Sequence, residues 1–278
     1  VDDVPGEGDE GLSEHQDQPV PFDTSVAHIA RIYDYWLGGK DNFAADREAA
    51  EQAIAANPGI VTDVRANRAF LARAVRFLTE DCGIRQFLDI GTGIPTKNNT
   101  HQVAQSLARE TRIVYVDNDP IVLRHAQSLL ASDPAGATDY IGSDLRDTDV
   151  ILERAAQTLD FSQPVAVMLL AILHMIPDSD DPPGIVARLM DAVPSGSYLA
   201  LSHPASDVRA AEAAEMTKRL NTRIGSARGT PRDRNQVTRL FGRLELAEPG
   251  VVQPQWWRPG GPVAGAEVML WSGVARKP

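Results

Sequence analysis

"FLDIGTGIPTKNNTHQVAQ", residues 87–105, begins as a short apolar run, turns at Gly91 and Gly93, and continues in a pattern that suits a helix. A buried strand feeding a glycine turn and then a helix is the first unit of a βαβ fold, with its turn facing a ligand. Two glycines stand where a nucleotide-binding loop needs them, and Pro95 takes the place of the third. A lone G-x-G also serves ordinary strand-to-helix turns, so its meaning depends on the rest of the chain.

Downstream of Arg85, apolar runs recur as "RQFLDIG", "RIVYVD", "TDYIGSD", "PVAVMLLA" and "GSYLALSH", with helical stretches between them near 99–109, 119–131, 148–160 and 182–193. Strands buried on both faces and alternating with helices give right-handed crossovers and a parallel sheet covered on both sides. The expected fold is therefore α/β, a doubly wound Rossmann-like domain over 84–278. Helices near 205–224 and 231–242 follow, then "VVQPQWW" and "EVMLWSGVA", which the connection "RPGGPVAGA" should pair as an antiparallel edge hairpin. Upstream, residues 23–83 read as three helices. Thr24 or Ser25 can cap the first, whose stripe is Val26, Ile29, Tyr33, Trp36 and Leu37 before Gly38 and Gly39 stop it.

Composition narrows the class. The 278 residues are 43% hydrophobic, with no apolar run long enough to span a bilayer and no secretory pattern at the start, so the chain is read as cytoplasmic and away from membranes. Residues 1–22 hold seven acids and no Lys or Arg, the composition of a disordered acidic tail. With a net charge of −11 there is no basic field for nucleic acid, and the arginines of 228–243 read as solvated helix faces. The single cysteine, Cys82, excludes an internal disulfide and reads as a core thiol.

In an open sheet of this kind, ligands bind where strand order reverses, which places Asp89 to Pro95 at the site. "VYVDNDP" ends a second strand in Asp117, 24 residues after Gly93, where a carboxylate can accept from both hydroxyls of a ribose. Asp119 before Pro120 is the better helix cap, which frees Asp117 for a ligand. In "GSDLRD", Asp144 can accept from an adenine amino group while Leu145 covers the ring. These features fit an adenosine ligand. A pyrophosphate needs several backbone N–H groups aimed at it, and Pro95 removes one and holds Ile94 extended. S-adenosylmethionine carries no phosphate, and the sequence favours it over a dinucleotide.

"DIGTG", "VYVDNDP", "SDLRD" and "LLAILHMIPD" resemble the successive motifs of class I S-adenosylmethionine-dependent methyltransferases. With "YDYWLGGKDNF", "RANRAFLARAVRF" and "IPTKNNTHQVAQ", the chain resembles an actinobacterial family of such methyltransferases formerly classed as a domain of unknown function. The resemblance spans about residues 23–278. It implies a seven-stranded sheet with a reversed last hairpin and a helical lid formed by 23–83. Carried over by position, Gly91, Thr92 and Gly93 would hold the methionine part, Asp117 the ribose and Asn118 the adenine edge. Asp144 and Leu145 would also meet the adenine, and Ala171 would line the floor. Pro95 departs from the class, which often has glycine there.

Methyl transfer from a sulfonium needs positioning more than a fixed triad. For a hydroxyl or amine acceptor, His174 and His203, each just past a strand, are the candidate bases. No metal is expected, since Ala171 ends the fourth strand and the acids of "DSDDPP" suit a helix cap. In the turn "GGKDN", Lys40 is a candidate for the methionine carboxylate, and Trp256 and Trp257, on an edge strand, could wall an aromatic acceptor pocket. The expected partner is a small-molecule acceptor, and a homodimer is left open. Two rivals stand: an NAD(P)-dependent oxidoreductase, opposed by Pro95 and by the lack of a Tyr-x-x-x-Lys pair after strand four, and a non-catalytic S-adenosylmethionine-binding regulator.

Overall fold

The computed structural model describes residues 23–129, 133–224, 228–263, 265 and 267–278; the acidic tail expected over 1–22 lies outside them. Seven strands, β1 (Gln86–Ile90), β2 (Arg112–Asp117), β3 (Ala137–Gly142), β4 (Ala166–Leu170), β5 (Tyr198–Pro204), β6 (Glu245–Leu246) and β7 (Leu270–Arg276), form one sheet in the order β3-β2-β1-β4-β5-β7-β6. β1 to β5 run parallel, and β7 runs antiparallel to both β5 and β6. The order reverses between β1 and β4, so the crevice at their carboxyl ends is the topological site for a ligand.

Period-two alternation divides the strand side chains between two cores. Leu88, Ile90, Val114, Val116, Val167 and Leu169 face one side, under α6 (Thr148–Ala155), α7 (Pro182–Asp191) and α9 (Arg234–Leu240). Phe87, Ile113, Tyr115 and Met168 face the other, under α3 (Ile60–Glu80) and α4 (Thr100–Leu107). Each layer buries several large side chains, and at roughly 1.5–3 kcal/mol per side chain the two layers hold the sheet between them. α5 (Pro120–Leu129) follows β2, with Asp119 Oδ1 accepting from Ile121 N–H at 2.9 Å, the cap expected of it.

A third core lies beyond the strand ends. There α1 (Ile29–Trp36), α2 (Ala44–Ala56) and the first turns of α3 pack with α8 (Ala210–Asn221), through Ile32, Trp36, Ala50, Ala53, Met216 and Leu220. α3 spans 21 residues and joins this core to the sheet, its Ile60 and Val64 in one and Phe70 and Leu78 in the other. His28, rather than Thr24 or Ser25, is the N-cap of α1, and Val26 stays exposed. Buried Asp46 ties α1 to α2 by accepting from His28 N–H and Phe43 N–H, both at 2.8 Å. No helix among the described residues is long and apolar enough to cross a membrane.

The C-terminal hairpin departs from the sequence reading. "EVMLWSGVA" supplies β7, but its edge partner is β6, and "VVQPQWW" contributes only an isolated bridge between Val252 and Ser272 before a 3-10 turn over Pro254–Trp256. Pro254 has no N–H for a ladder. Trp257 is fully buried, edge-on to Phe70 and Phe77 at 5.3 and 5.7 Å, and Arg73 on α3 donates to the carbonyls of Trp257 and Pro254. Trp256 is exposed, and neither tryptophan lines either of the two cavities described below. Among the arginines of 228–243, Arg232 is buried rather than solvated.

Candidate functional site

A cavity of about 480 Å³ lies over the carboxyl ends of β1, β2 and β4, within the size range of small-molecule sites, roughly 300–1,000 Å³. The glycine turn forms its base. Gly91 has φ +74° and donates to Val116 O at 2.8 Å, and a Cβ there would stand 2.5 Å from Ile172 Cγ1. Gly93 has φ +64° and no heavy atom within 4 Å of where a Cβ would point, so the loop presents bare backbone to the cavity. Thr92 and Pro95 also line it, and α4 starts only at Thr100, capped by Asn99. No helix N-terminus therefore follows the turn directly, which suits a phosphate-free ligand.

Asp117 is buried and ties the loop to β2, its Oδ2 accepting from Gly93 N–H at 2.8 Å and its Oδ1 from Asp119 N–H at 3.0 Å. Each oxygen keeps capacity for another donor, as a ribose diol would require. Burial raises its pKa. Asn118 donates to Asp144 Oδ2 at 3.2 Å, and Arg146 bonds the same carboxylate while bridging to Asp180 at 2.7 Å. Leu145, buried, lines the wall beside them. Asp89 is buried at the end of β1, where burial lifts its carboxyl to about 6 and Thr100 Oγ1 donates to it at 2.6 Å. Tyr115 and Tyr140 stack at 5.2 Å on the cavity wall, and the buried Tyr140 hydroxyl has no hydrogen-bond partner among the described residues. An orphaned hydroxyl and strand-end carboxylates fit an adenosine ligand better than an apolar one.

The N-terminal helices close the other side. Ala30, Tyr33 and Leu37 of α1 and its end line the cavity, and α1 is held to the β2–α5 turn by His28 Nδ1, 3.0 Å from Asp119 Oδ2, with Arg31 nearby at 3.8 Å. α3 contributes Asn67 and Arg68, and Arg68 donates to the carbonyls of Lys97 and Asn98. The sequence reading missed Arg68, whose only signal was a cation within the helical motif "RANRAF". Lys40, by contrast, is exposed and does not line the cavity. The polar turn around it has a structural cause. Asp34 accepts from Asp41 N–H and Asn42 Nδ2, both at 2.9 Å, and a Cβ on Gly39 would fall 1.9 Å from the Asp34 carboxylate.

A second cavity of about 90 Å³ adjoins the first, the two sharing Tyr33, Asn67, Ala171 and Met175. Ala171, after β4, sits at φ +52°, a conformation costing a non-glycine residue about 1–2 kcal/mol, with its N–H held by Ser202 O at 3.0 Å. Such strain collects at functional sites. His174 lines the smaller cavity and not the larger; its buried Nδ1 has no partner among the described residues, and burial, then the Arg232 charge, lowers its pKa to about 4. His203 lines neither. Its Nε2 accepts from Arg232 at 2.9 Å and its Nδ1 donates to Pro204 O at 3.0 Å, while burial, then His174, lowers it to about 3. Both ring nitrogens are spent, so His203 is a positioning group for Arg232 and not a base at the cavity. Arg232 also holds Asp178 at 2.6 Å, and of the "DSDDPP" acids only Asp181 caps α7.

Comparison with known proteins places this arrangement. A family model described as S-adenosyl methyltransferase matches residues 15–278. The crystal structure of a DUF574 family protein from Streptomyces avermitilis is 44% identical, with a TM-score of 0.89 over 92% of this chain and 99% of that one. One from Thermobifida fusca, named as a proposed methyltransferase, is 40% identical, with a TM-score of 0.84 over 91% of this chain and 96% of that one. The plantazolicin methyltransferase BpumL, solved with a triazolic desmethylPZN analogue and S-adenosylhomocysteine, shares the fold at 11% identity, with a TM-score of 0.53 over 89% of this chain and 95% of that one. No curated protein matches. The family decides between the methyl donor and the dinucleotide: this chain belongs to the S-adenosyl methyltransferase family and is an S-adenosylmethionine-dependent methyltransferase with a class I fold.

Proposed function

We propose that the larger cavity holds S-adenosylmethionine and that the enzyme methylates a small molecule beneath a lid formed by residues 23–83 over the catalytic domain 84–278. When bound, the donor supplies an electrophilic methyl on a sulfonium. Gly91, Thr92 and Gly93 lie against the methionine part, and Arg68, a cation on the cavity wall, takes its carboxylate in place of Lys40. Asp117 receives the ribose hydroxyls, Asn118 and Asp144 meet the adenine edge, Leu145 covers the ring and Ala171 forms the floor. Asp89, its carboxyl lifted to about 6, orders the start of α4 through Thr100 and faces the methionine end. α1 excludes water from the reacting centre.

The observation that carries this reading is the buried Asp117 carboxylate joined to the Gly93 N–H where strand order reverses. A net charge of −11 opposes nucleic-acid acceptors and so favours a small molecule. Calorimetry tests the placement. Wild-type protein should bind S-adenosylhomocysteine at micromolar concentration and ignore NADH, and Asp117→Ala should weaken binding roughly 10- to 100-fold, the worth of a charged hydrogen-bond acceptor. NADH binding with none for S-adenosylhomocysteine, or an unchanged Asp117→Ala, would refute it.

A further inference from the structure

The smaller cavity has a chemistry of its own. At about 30 Å³ per water in the liquid, about 90 Å³ is the room of about three waters, enough for a short branched chain or one tightly held small ring. Its walls are mainly apolar, with Trp36, Met216, Leu220, Ile224 and Met269 around it. Asp63 is the one carboxylate in the lining, and it is committed: Asn57 donates to it at 2.8 Å, Met269 N–H at 3.2 Å, and Arg209 stands 3.6 Å away. A charged guest would therefore be stripped of water with nothing to pair it.

Most of the neutral polar groups are committed as well; among the described residues of the lining, only the Thr217 hydroxyl and the His174 ring lack a hydrogen bond. Asn67 accepts from Ser202 at 2.6 Å and donates to Tyr33 at 3.1 Å, Tyr33 donates to Val64 O, and Asn221 exchanges two bonds with Gly229. Neither ring nitrogen of His174 has a partner among the described residues, and because Nδ1 is fully buried, Nε2 is the one that a guest can reach. With its pKa near 4 the ring is uncharged at neutral pH and keeps a lone pair to offer.

Resting on the placement of the methyl donor in the larger cavity, we propose that the smaller cavity is the acceptor chamber and takes a compact, uncharged, mostly apolar alcohol or phenol whose hydroxyl donates to the His174 imidazole. The strained Ala171 and the Tyr33–Asn67 pair mark the passage between the chambers. In the transfer, the hydroxyl oxygen forms a bond to the methyl carbon as the carbon–sulfur bond breaks, and that electron pair stays on sulfur. The hydroxyl proton passes to His174 and then to water, leaving an ether and a neutral thioether.

Phenol, benzoate and benzylamine, one ring with three charges, serve as probes on protein saturated with S-adenosylhomocysteine, with binding read by calorimetry and folding by Tm. Phenol should bind, with the charged rings at least tenfold weaker. His174→Phe should weaken phenol roughly three- to tenfold and leave S-adenosylhomocysteine within twofold. Met216→Trp, or Leu220→Phe should the first fail to fold, should abolish phenol binding by filling the chamber. Labelled methyl from S-adenosylmethionine should appear in anisole. Phenol failing to bind the loaded enzyme, charged rings binding equally well, or variants that leave phenol affinity unchanged would each overturn the proposal while the cofactor reading stands. Failure of S-adenosylhomocysteine itself to bind would overturn both.

Discussion

Adding one methyl group at Gly91 and, separately, at Gly93 divides the glycine turn into a part that shapes the protein and a part that shapes the ligand. Both glycines occupy left-handed backbone, at φ +74° and +64°, where an L-residue pays about 1–2 kcal/mol. At Gly91 the new Cβ would also stand 2.5, 2.6 and 2.8 Å from Cγ1, Cβ and Cδ1 of Ile172. The Cβ of Ile172 is fixed by its backbone, so no rotamer change clears that contact, and forced overpacking adds about 1–3 kcal/mol. Gly91→Ala should thus lose about 2–5 kcal/mol, a large part of the roughly 5–15 kcal/mol typical of a domain. At Gly93 nothing lies within 4 Å of the added atom, which leaves only the backbone strain, but the atom would stand where the ligand must approach. Gly93→Ala should keep its stability within about 1–2 kcal/mol and lose at least tenfold in S-adenosylhomocysteine affinity. Urea unfolding of the free proteins and calorimetry of the complexes give the two readouts. A Gly91→Ala protein as stable as wild type, or a Gly93→Ala protein that binds normally, would refute the division.

Other outcomes follow from the same geometry. Asp89 has its folded pKa raised from 3.8 to about 6 by burial, so it favours the fold when protonated and loses that contribution as pH rises through 6; Asp89→Asn should stabilise the free protein above pH 6 by on the order of 2–3 kcal/mol, with the difference vanishing near pH 4 in urea titrations. Lys40→Ala should leave stability and cofactor affinity unchanged, whereas Asp34→Ala, which strands Asp41 N–H and Asn42, should lower stability by about 1–3 kcal/mol in thermal melts. Arg232→Ala should cost about 3–5 kcal/mol, because buried Arg232 bonds the carbonyls of Leu173 and Ile176 together with Asp178 and His203, and circular dichroism melts would expose a smaller effect.

The sequence made the cofactor side of the site legible. Buried strands announce themselves as unbroken apolar runs, so β1 to β5 could be read locally. The turn glycines and the strand-end acids Asp117 and Asp144 stand where topology sends a ligand, and topology follows from the alternation of strands and helices. Pro95 argued against a pyrophosphate by its missing N–H, a property of one residue alone, and the family match then decided for the methyl donor. The C-terminal edge was less legible, because β6 is two residues long and "VVQPQWW" carries the apolar character of a strand into a turn around Pro254.

What tertiary structure decided are the side chains whose meaning depends on distant partners. Lys40 and Arg68 are both cations near the start of the chain, and only packing puts Arg68 on the cavity wall and leaves Lys40 in solvent. The sequence puts His174 and His203 alike just past strands, yet His203 lies within β5, where Arg232 from 29 residues downstream occupies it, while His174 keeps an unmet nitrogen beside an apolar chamber. Local pattern fixes a backbone because its hydrogen bonds and burial period are local. Which polar group remains free for chemistry depends on which distant residues have already satisfied the others, and that is settled only when the chain has folded.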